Sequence, residues 1–411
     1  MSLSSTLSGR LLTAVLFLLG PLVYVAPLSA AVLLPVATLA AGMMLRGQPM
    51  EWRRIGRALL VWLPLFALML ASGLWALDGK AALTLAIRLI GVIVLGMALI
   101  RWCRDLPAEG LRRLLPALAV GLMLANCYVL ADLGLGGALA HLSHASRDNF
   151  DFATYYGRGA TIHAILLAPL GWGLWRAGMK RLAVGQGALA ALCILATHDL
   201  SAKVALAGAV GGAVLVLALP QLRWALLALV GLVALGLPLA FPVQLDQAQE
   251  CWMFSHKKSA LHRLYIWDFV VGRIAEKPLV GWGLDAARRM PGGQDTVALG
   301  ENCPGATPAI GQKLPLHPHN AILQTWLELG AAGILLGFGG LIVSFGQVYA
   351  RSRRAVAAVL VASSVAGMLV ALVSYGVWQE WFLSALMLVG GVAALALRQD
   401  ELAAPPARRP V

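Results

Sequence analysis

An all-α integral membrane protein with about twelve spanning helices is the fold class predicted here, since each crossing takes about 20 mostly apolar residues. Three observations predict it. Of the 411 residues 60% are hydrophobic and only 12% charged, and the mean hydropathy is +0.79, more apolar surface than a water-soluble core can hide. Apolar runs of spanning length recur along nearly the whole chain. Positive residues gather in alternate short connections between those runs, the charge pattern that sets membrane topology.

The runs fall near 11–26, 27–45, 58–77, 81–100, 114–134, 159–175, 182–197, 204–219, 224–242, 321–348, 355–376 and 378–397. The first ends in small residues up to Ala31 and has only Arg10 before it, yet reads as a span rather than a cleaved leader. Nineteen of the 32 Lys and Arg fall on one side: Arg10, Arg46, Arg53, Arg54, Arg57, Arg101, Arg104, Arg112, Arg113, Arg176, Lys180, Arg181, Arg223, Arg351, Arg353, Arg354, Arg398, Arg408 and Arg409. Both termini are therefore expected in the cytoplasm, and the polar segments 135–158 and 243–320 on the opposite face. The net charge of +13 is spread over these connections, which argues against nucleic acid as a partner. Residues 1–411 read as a single polytopic domain, with 243–320 a long loop between the ninth and tenth spans. The tail AAPPARRPV reads as a short disordered end.

That loop is nearly neutral, with eight Lys and Arg against seven Asp and Glu. Leu264, Trp267, Phe269, Val270, Val271 and Ile274 recur at three-and-four spacing, predicting an amphipathic helix over 259–276 that Pro278 stops. The following GWG and PGGQDTVALGENCPG read as turns and irregular chain, so the loop is expected to act as a lid or a wall. Cys251 and Cys303 are its two cysteines, and a disulfide between them fits an oxidising compartment. Cys127 and Cys193 lie in apolar helices, as packing material.

Candidate chemistry centres on His319. Pro318 disfavours helical geometry at His317, and Asn320 is suited to cap the next helix, so His319 sits at a defined, wet helix start. An imidazole there is able to take a proton from a hydroxyl near neutral pH. His317 is the competing imidazole. Arg263, Arg288 and Arg289 in the loop, with Arg158 and Lys203 at outer helix ends, run against the topology rule; cations of this kind suit a pyrophosphate-bearing donor. Arg263 and Arg158 are the strongest choices, each placed just before an apolar or amphipathic helix. Arg88, deep in LTLAIRLIGVIVL, needs a partner such as Asp132, a wet cavity, or a route to the surface. Gly330 and Gly333 read as a small-residue face for close helix packing. Trp378, Gln379, Glu380 and Trp381 form an outer turn, the tryptophans as belt residues and Glu380 as a partner for an imidazole or an arginine. No Walker loop, HExxH, nucleophile elbow or zinc-spaced Cys/His cluster is present, so no metal or ATP cofactor is expected.

HPHNAILQTWLELGAAG, preceded by one long loop carrying HRLYIWDF and EKPLVGWGL, resembles the O-antigen ligase family (WaaL), whose superfamily also holds O-antigen polymerases and protein O-oligosaccharyltransferases. The resemblance covers the twelve-helix layout and is sharpest over 258–335. It implies a metal-independent GT-C-type membrane glycosyltransferase of the bacterial inner membrane with its site facing the periplasm. Such an enzyme transfers a glycan from undecaprenyl pyrophosphate to a sugar hydroxyl of lipid A-core, inverting the anomeric centre. His319 resembles the family's essential histidine, as base or positioning group. Arg263, Arg288 or Arg289, and Arg158 resemble its diphosphate-holding arginines. DLSAKVAL departs from the family's usual Ser-Arg and puts Lys203 in the cationic place. Ligase is favoured over polymerase because segment 135–158 is short and offers only Arg147 and Arg158; an oligosaccharyltransferase shares the single-loop layout. A transporter would bury paired acids and bases near mid-membrane, and these helices hold few.

Overall fold

The computed structural model describes residues 6–46, 52–143, 152–241 and 243–403; Arg147, Arg408, Arg409 and nearly all of the tail lie outside them. The chain is mostly helical: α1 (Leu7–Val25), α2 (Ala30–Met44), α3 (Trp52–Leu60), α4 (Leu63–Ala71), α5 (Gly79–Asp105), α6 (Ala108–Leu111), α7 (Leu114–Gly134), α8 (Ala138–Ser143) and α9 (Phe152–Tyr155). There follow α10 (Gly157–Arg176), α11 (Lys180–Ala196), α12 (Leu200–Ala218), α13 (Leu222–Gly236), α14 (Gln247–His256), α15 (Lys258–Glu276), α16 (Ala321–Ala350), α17 (Arg354–Val373) and α18 (Glu380–Leu402).

Each of the twelve apolar runs is helical, but among the described residues nine helices are long and apolar enough to cross a membrane. The other three runs are the short apolar stretch Leu63–Leu74, α10 and α11. Arg158, Thr161 and His163 dilute α10, and α11 has only 17 residues. Burial explains how α10 tolerates its polar groups: it packs against α11, α12, α17 and α18, so protein rather than lipid surrounds it. At the other extreme, α13 buries only Ala234. Close helix crossing through small residues occurs between α1 and α7, where a Cβ on Gly121 would lie 2.0 Å from the Phe17 carbonyl oxygen.

The charge pattern of the sequence is visible as ion pairs at one end of the bundle. Arg176 and Arg353 converge on Asp400, and Arg104 and Arg398 on Glu401. Residues 243–320 emerge at the other end and are packed rather than loose. The amphipathic helix expected over 259–276 is α15, whose Ile266, Val270 and Ile274 meet Ala286, Ala287, Met290 and Leu314, together with Leu323 and Leu327 of α16. A second small core joins Phe254, Leu261, Leu299 and Cys303, and the Cys251–Cys303 disulfide closes it.

Two expectations are corrected here. The stretch read as irregular contains β1 (Thr296–Leu299), which pairs antiparallel with β2 (Ala309–Gln312), so the chain is not wholly α. Four-residue strands are too short to show a periodicity that sequence reading can find. Gly330 does not pack α16 on a neighbouring helix. It interrupts α16 with φ 61° and ψ −161°, a region that side chains other than glycine essentially do not enter. The break exposes backbone groups, and the loop after α15 takes them: Ala331 N–H donates to Pro278 O at 2.8 Å, and Ala332 N–H to Leu279 O at 3.1 Å. In return Trp282 N–H donates to Leu327 O at 2.9 Å, and Gly283 N–H to Glu328 O at 2.8 Å. A Cβ on Gly330 would stand 2.4 Å from the Leu279 carbonyl carbon. Gly333 meets only side chains of its own helix within 3.5 Å.

Candidate functional site

The first ten residues of α16 form the spine of the site. Asn320 caps it, accepting from Leu323 N–H at 3.0 Å. Just ahead, His319 has a left-handed backbone, φ 55°, uncommon for any residue but glycine and a form of stored strain. Three hydrogen bonds hold it there. Trp267 of α15 donates its indole N–H to Pro318 O at 2.7 Å, His319 N–H donates to His317 Nδ1 at 3.2 Å, and His319 Nδ1 lies 2.6 Å from Ser374 O.

The last of these contacts decides a tautomer. A carbonyl only accepts, so His319 carries its proton on Nδ1 and leaves the Nε2 lone pair free. His317 faces two N–H donors, the His319 backbone at Nδ1 and the Gln379 side-chain amide at Nε2, 3.1 Å away, and a neutral ring accepts from only one of them. Burial is the main reason that the His317 pKa falls from 6.5 to about 3, with His319, Arg288 and Arg263 adding to it. His319 is also lowered, chiefly by burial; the Ser374 bond opposes this, while Arg263 and His262 reinforce it. Both imidazoles are therefore neutral near pH 7, and only His319 offers a free basic nitrogen.

A hollow of about 920 Å³ opens at this end of the bundle. Among the described residues its charged lining comprises Lys80, Arg88, Arg158, Arg288 and Arg289 against Asp78, Asp285, Glu328 and Glu380, with His317 on the wall. Asp285 accepts from Arg288 Nε at 3.0 Å and from Arg289 Nη1 at 2.7 Å, and Arg289 Nε also reaches Asp78 at 3.2 Å. Arg88 pairs with Glu380 at 3.3 Å. Asp132, weighed as its partner, is instead buried and accepts from Tyr156 Oη at 2.6 Å and from Leu139 N–H. Arg158 stacks over Trp381 at 5.5 Å. Lys80 and Arg158 have no carboxylate partner among the described residues.

The hollow thus collects Arg88, Arg158, Arg288, Arg289 and His317 from four separate stretches of chain. Four sequence candidates stand off its wall, among them Asn320, expected to bind substrate but here engaged as the cap of α16. His319 lies behind His317, ring centroids 4.3 Å apart. Arg263 sits within α15 rather than ahead of it, lowered by burial and countered by Asp199, and its charge acts on both histidines. Lys203, on the first turn of α12, is neither on this wall nor ion-paired among the described residues. Asp199 caps α12, and burial raises its pKa. The sequence reading passed over Asp78, Lys80, Gln324, Asp285 and Glu328 as site residues. Lys80 carried the signal used for the other cations, a positive charge on the face where the topology rule disfavours it.

The fold and this hollow define a polytopic membrane protein that gathers neutral imidazoles and guanidinium groups at the end of its bundle opposite the clustered basic loops. Residues 185–338 match the family model described as O-Antigen ligase. Three rickettsial proteins provisionally named polysaccharide ligases are similar to this chain. The one from Rickettsia conorii is 34% identical over 145 residues, the one from Rickettsia felis 30% over 145 and the one from Rickettsia bellii 32% over 144. In each case the match covers 34% of this chain and 33% of the relative, so the chain spans about a third of the length of the curated relatives it matches.

Proposed function

We propose that this protein is a GT-C-type, inverting glycosyltransferase, an O-antigen ligase of the bacterial inner membrane whose hollow faces the periplasm. It moves a finished polysaccharide from undecaprenyl pyrophosphate to a sugar hydroxyl of lipid A-core. The observation that carries this reading is one oriented, neutral imidazole, His319, set directly behind His317 on the wall of a hollow that guanidinium groups line. Arg288, Arg289, Arg88 and Arg158 suit a diphosphate, because guanidinium forks match phosphate oxygens and neutralise a leaving group. Carboxylate partners hold Arg88, Arg288 and Arg289 in place until the donor arrives, and Arg158 rests over Trp381. His319 Nε2 takes the proton from the acceptor hydroxyl as its oxygen attacks the anomeric carbon from the face opposite the diphosphate. The new glycosidic bond forms as the bond to the diphosphate breaks, inverting the centre. The donor is already activated, so the reaction needs no ATP, and Arg263 helps keep the imidazole neutral between turnovers.

The test is a reconstituted transfer. Purified protein, lipid-linked glycan and rough lipopolysaccharide, without ATP, should yield modified lipopolysaccharide. His319→Ala should lower the rate by at least about a hundredfold, the usual scale for a general base, with the protein still folded. Unchanged transfer by that variant would end the mechanism; transfer only between lipid-linked glycans, or only to protein, would replace lipid A-core as the acceptor.

A further inference from the structure

A continuous chain of hydrogen bonds inside α16 joins the two halves of the site. Gln324 and Glu328 lie one turn apart, 5% and 0% exposed. Gln324 Oε1 accepts from Val377 N–H at 3.0 Å, and Gln324 Nε2 donates to Glu328 Oε1 at 3.1 Å. Glu328 Oε2 accepts from Asp285 N–H at 2.6 Å. Each end of this chain meets one functional half. Val377 belongs to the turn whose Ser374 carbonyl orients His319, and within it a Cβ on Gly376 would lie 3.0 Å from His317 Cγ. Asp285, itself left-handed at φ 64°, opens the 3-10 turn Ala286–Arg289 and holds both arginines.

We propose that Gln324 and Glu328 are positioning residues that set the imidazole and the Arg288–Arg289 pair at a fixed separation, an inference that rests on the diphosphate-and-base reading above. Glu328 is a buried carboxylate with no cationic partner in this chain of contacts. Its two oxygens instead receive one N–H from each side, and a buried acceptor left without such a donor is costly. The two outer bonds of the relay have a fixed direction: position 324 must accept from Val377, and position 328 must accept from Asp285. Only the bond between the two side chains is free to run either way.

That directionality provides the test. In Glu328→Gln the new amide nitrogen confronts either the Gln324 amide or the Asp285 N–H, and in Gln324→Glu two carboxylates meet. In the double variant Gln324→Glu/Glu328→Gln all three bonds can form again, with the central one reversed. The full-length protein in detergent is assayed for inorganic pyrophosphate binding, for KM and kcat in transfer, and for the acid limb of its pH profile, with Arg288→Gln as reference. Each single variant should weaken pyrophosphate binding and raise the donor KM about tenfold, the scale of a hydrogen bond to a charged group, while the acid limb set by His319 stays in place. The double variant should return to within about threefold of wild type. A double variant no better than its parents, or single variants with wild-type binding and KM, would overturn the positioning role while Arg288→Gln still binds poorly. Wild-type pyrophosphate binding by Arg288→Gln would overturn the diphosphate reading, and the positioning role with it. A packing role alone would reduce the yield of folded protein and leave the KM of the folded fraction unmoved.

Discussion

At the basic end of the bundle Arg176 and Arg353 share Asp400; at the other end Arg288 and Arg289 share Asp285. The carboxylates are similarly enclosed, 9% and 15% exposed, and Arg353 is as open as Arg288, 53% against 50%, but only Arg288 and Arg289 border a hollow of about 920 Å³. Arg88, 62% exposed, repeats the pattern with Glu380. An ion pair open to water is weakly held, so the hollow's guanidinium groups can exchange a carboxylate for a phosphate. Clustered cations therefore do not in themselves mark a site. What marks one is a cation kept in position by an acid on the wall of a hollow that admits an anion.

The largest expected effect comes from removing the feature that gives the second end its shape. Gly330→Ala places a Cβ 2.4 Å from the backbone of Leu279 at φ 61°, which should cost about 3 kcal/mol or more through strain and overpacking together. Loop 278–283 would lose its seat on α16, and transfer should fall about a hundredfold, with reduced thermal stability in detergent. A variant with near-wild-type stability and rate would show that the break is incidental to the site.

How much of this was legible in the sequence follows from what each signal encodes. Apolar period and basic loops gave the helical runs and their alternation, because lipid imposes both on composition. The cap by Asn320 and the helix at α15 were legible for the same local reasons. The resemblance placed HRLYIWDF, EKPLVGWGL and His-Asn with its following glycine in one neighbourhood, but not their roles. Trp267 supports Pro318, the second motif fills the break, and Gly330 makes that break. A glycine in an apolar helix carries no mark of the sign of its φ, so Gly330 was read as packing. Gln324 and Glu328 were invisible because each accepts from a backbone N–H group 40 or more residues away, that of Val377 and that of Asp285.

Acidification tests the neutral imidazoles. Burial holds His317 and His319 below their ordinary 6.5, His317 to about 3. Between those values the unfolded chain binds more protons than the folded one. The contribution of His317 to stability is therefore intact above pH 6.5 and is lost as pH falls toward 3, at up to about 1.4 kcal/mol per pH unit, and that of His319 is lost in the same direction. His317→Gln should flatten that slope in detergent melts between pH 6.5 and 4. The acid limb of kcat/KM, which reports the base in the free enzyme, should have its midpoint below 6.5. A midpoint above 6.5 would mean that the base is protonated more readily than an ordinary imidazole, against the burial of His319.

The smallest effect is expected at the basic end. Arg104 pairs with Glu401, which is 48% exposed and also lies 3.6 Å from Arg398. Solvent screens such a pair, and a second guanidinium remains to meet the carboxylate, so Arg104→Gln should cost no more than about 1 kcal/mol and leave transfer within about twofold of wild type. Insertion should also survive, because many other basic residues on that side maintain the charge bias. A tenfold loss of transfer without loss of folded protein would show that the basic end communicates with the hollow. The distinction between ion pairs on the wall of the hollow and those away from it would then no longer separate scaffold from site.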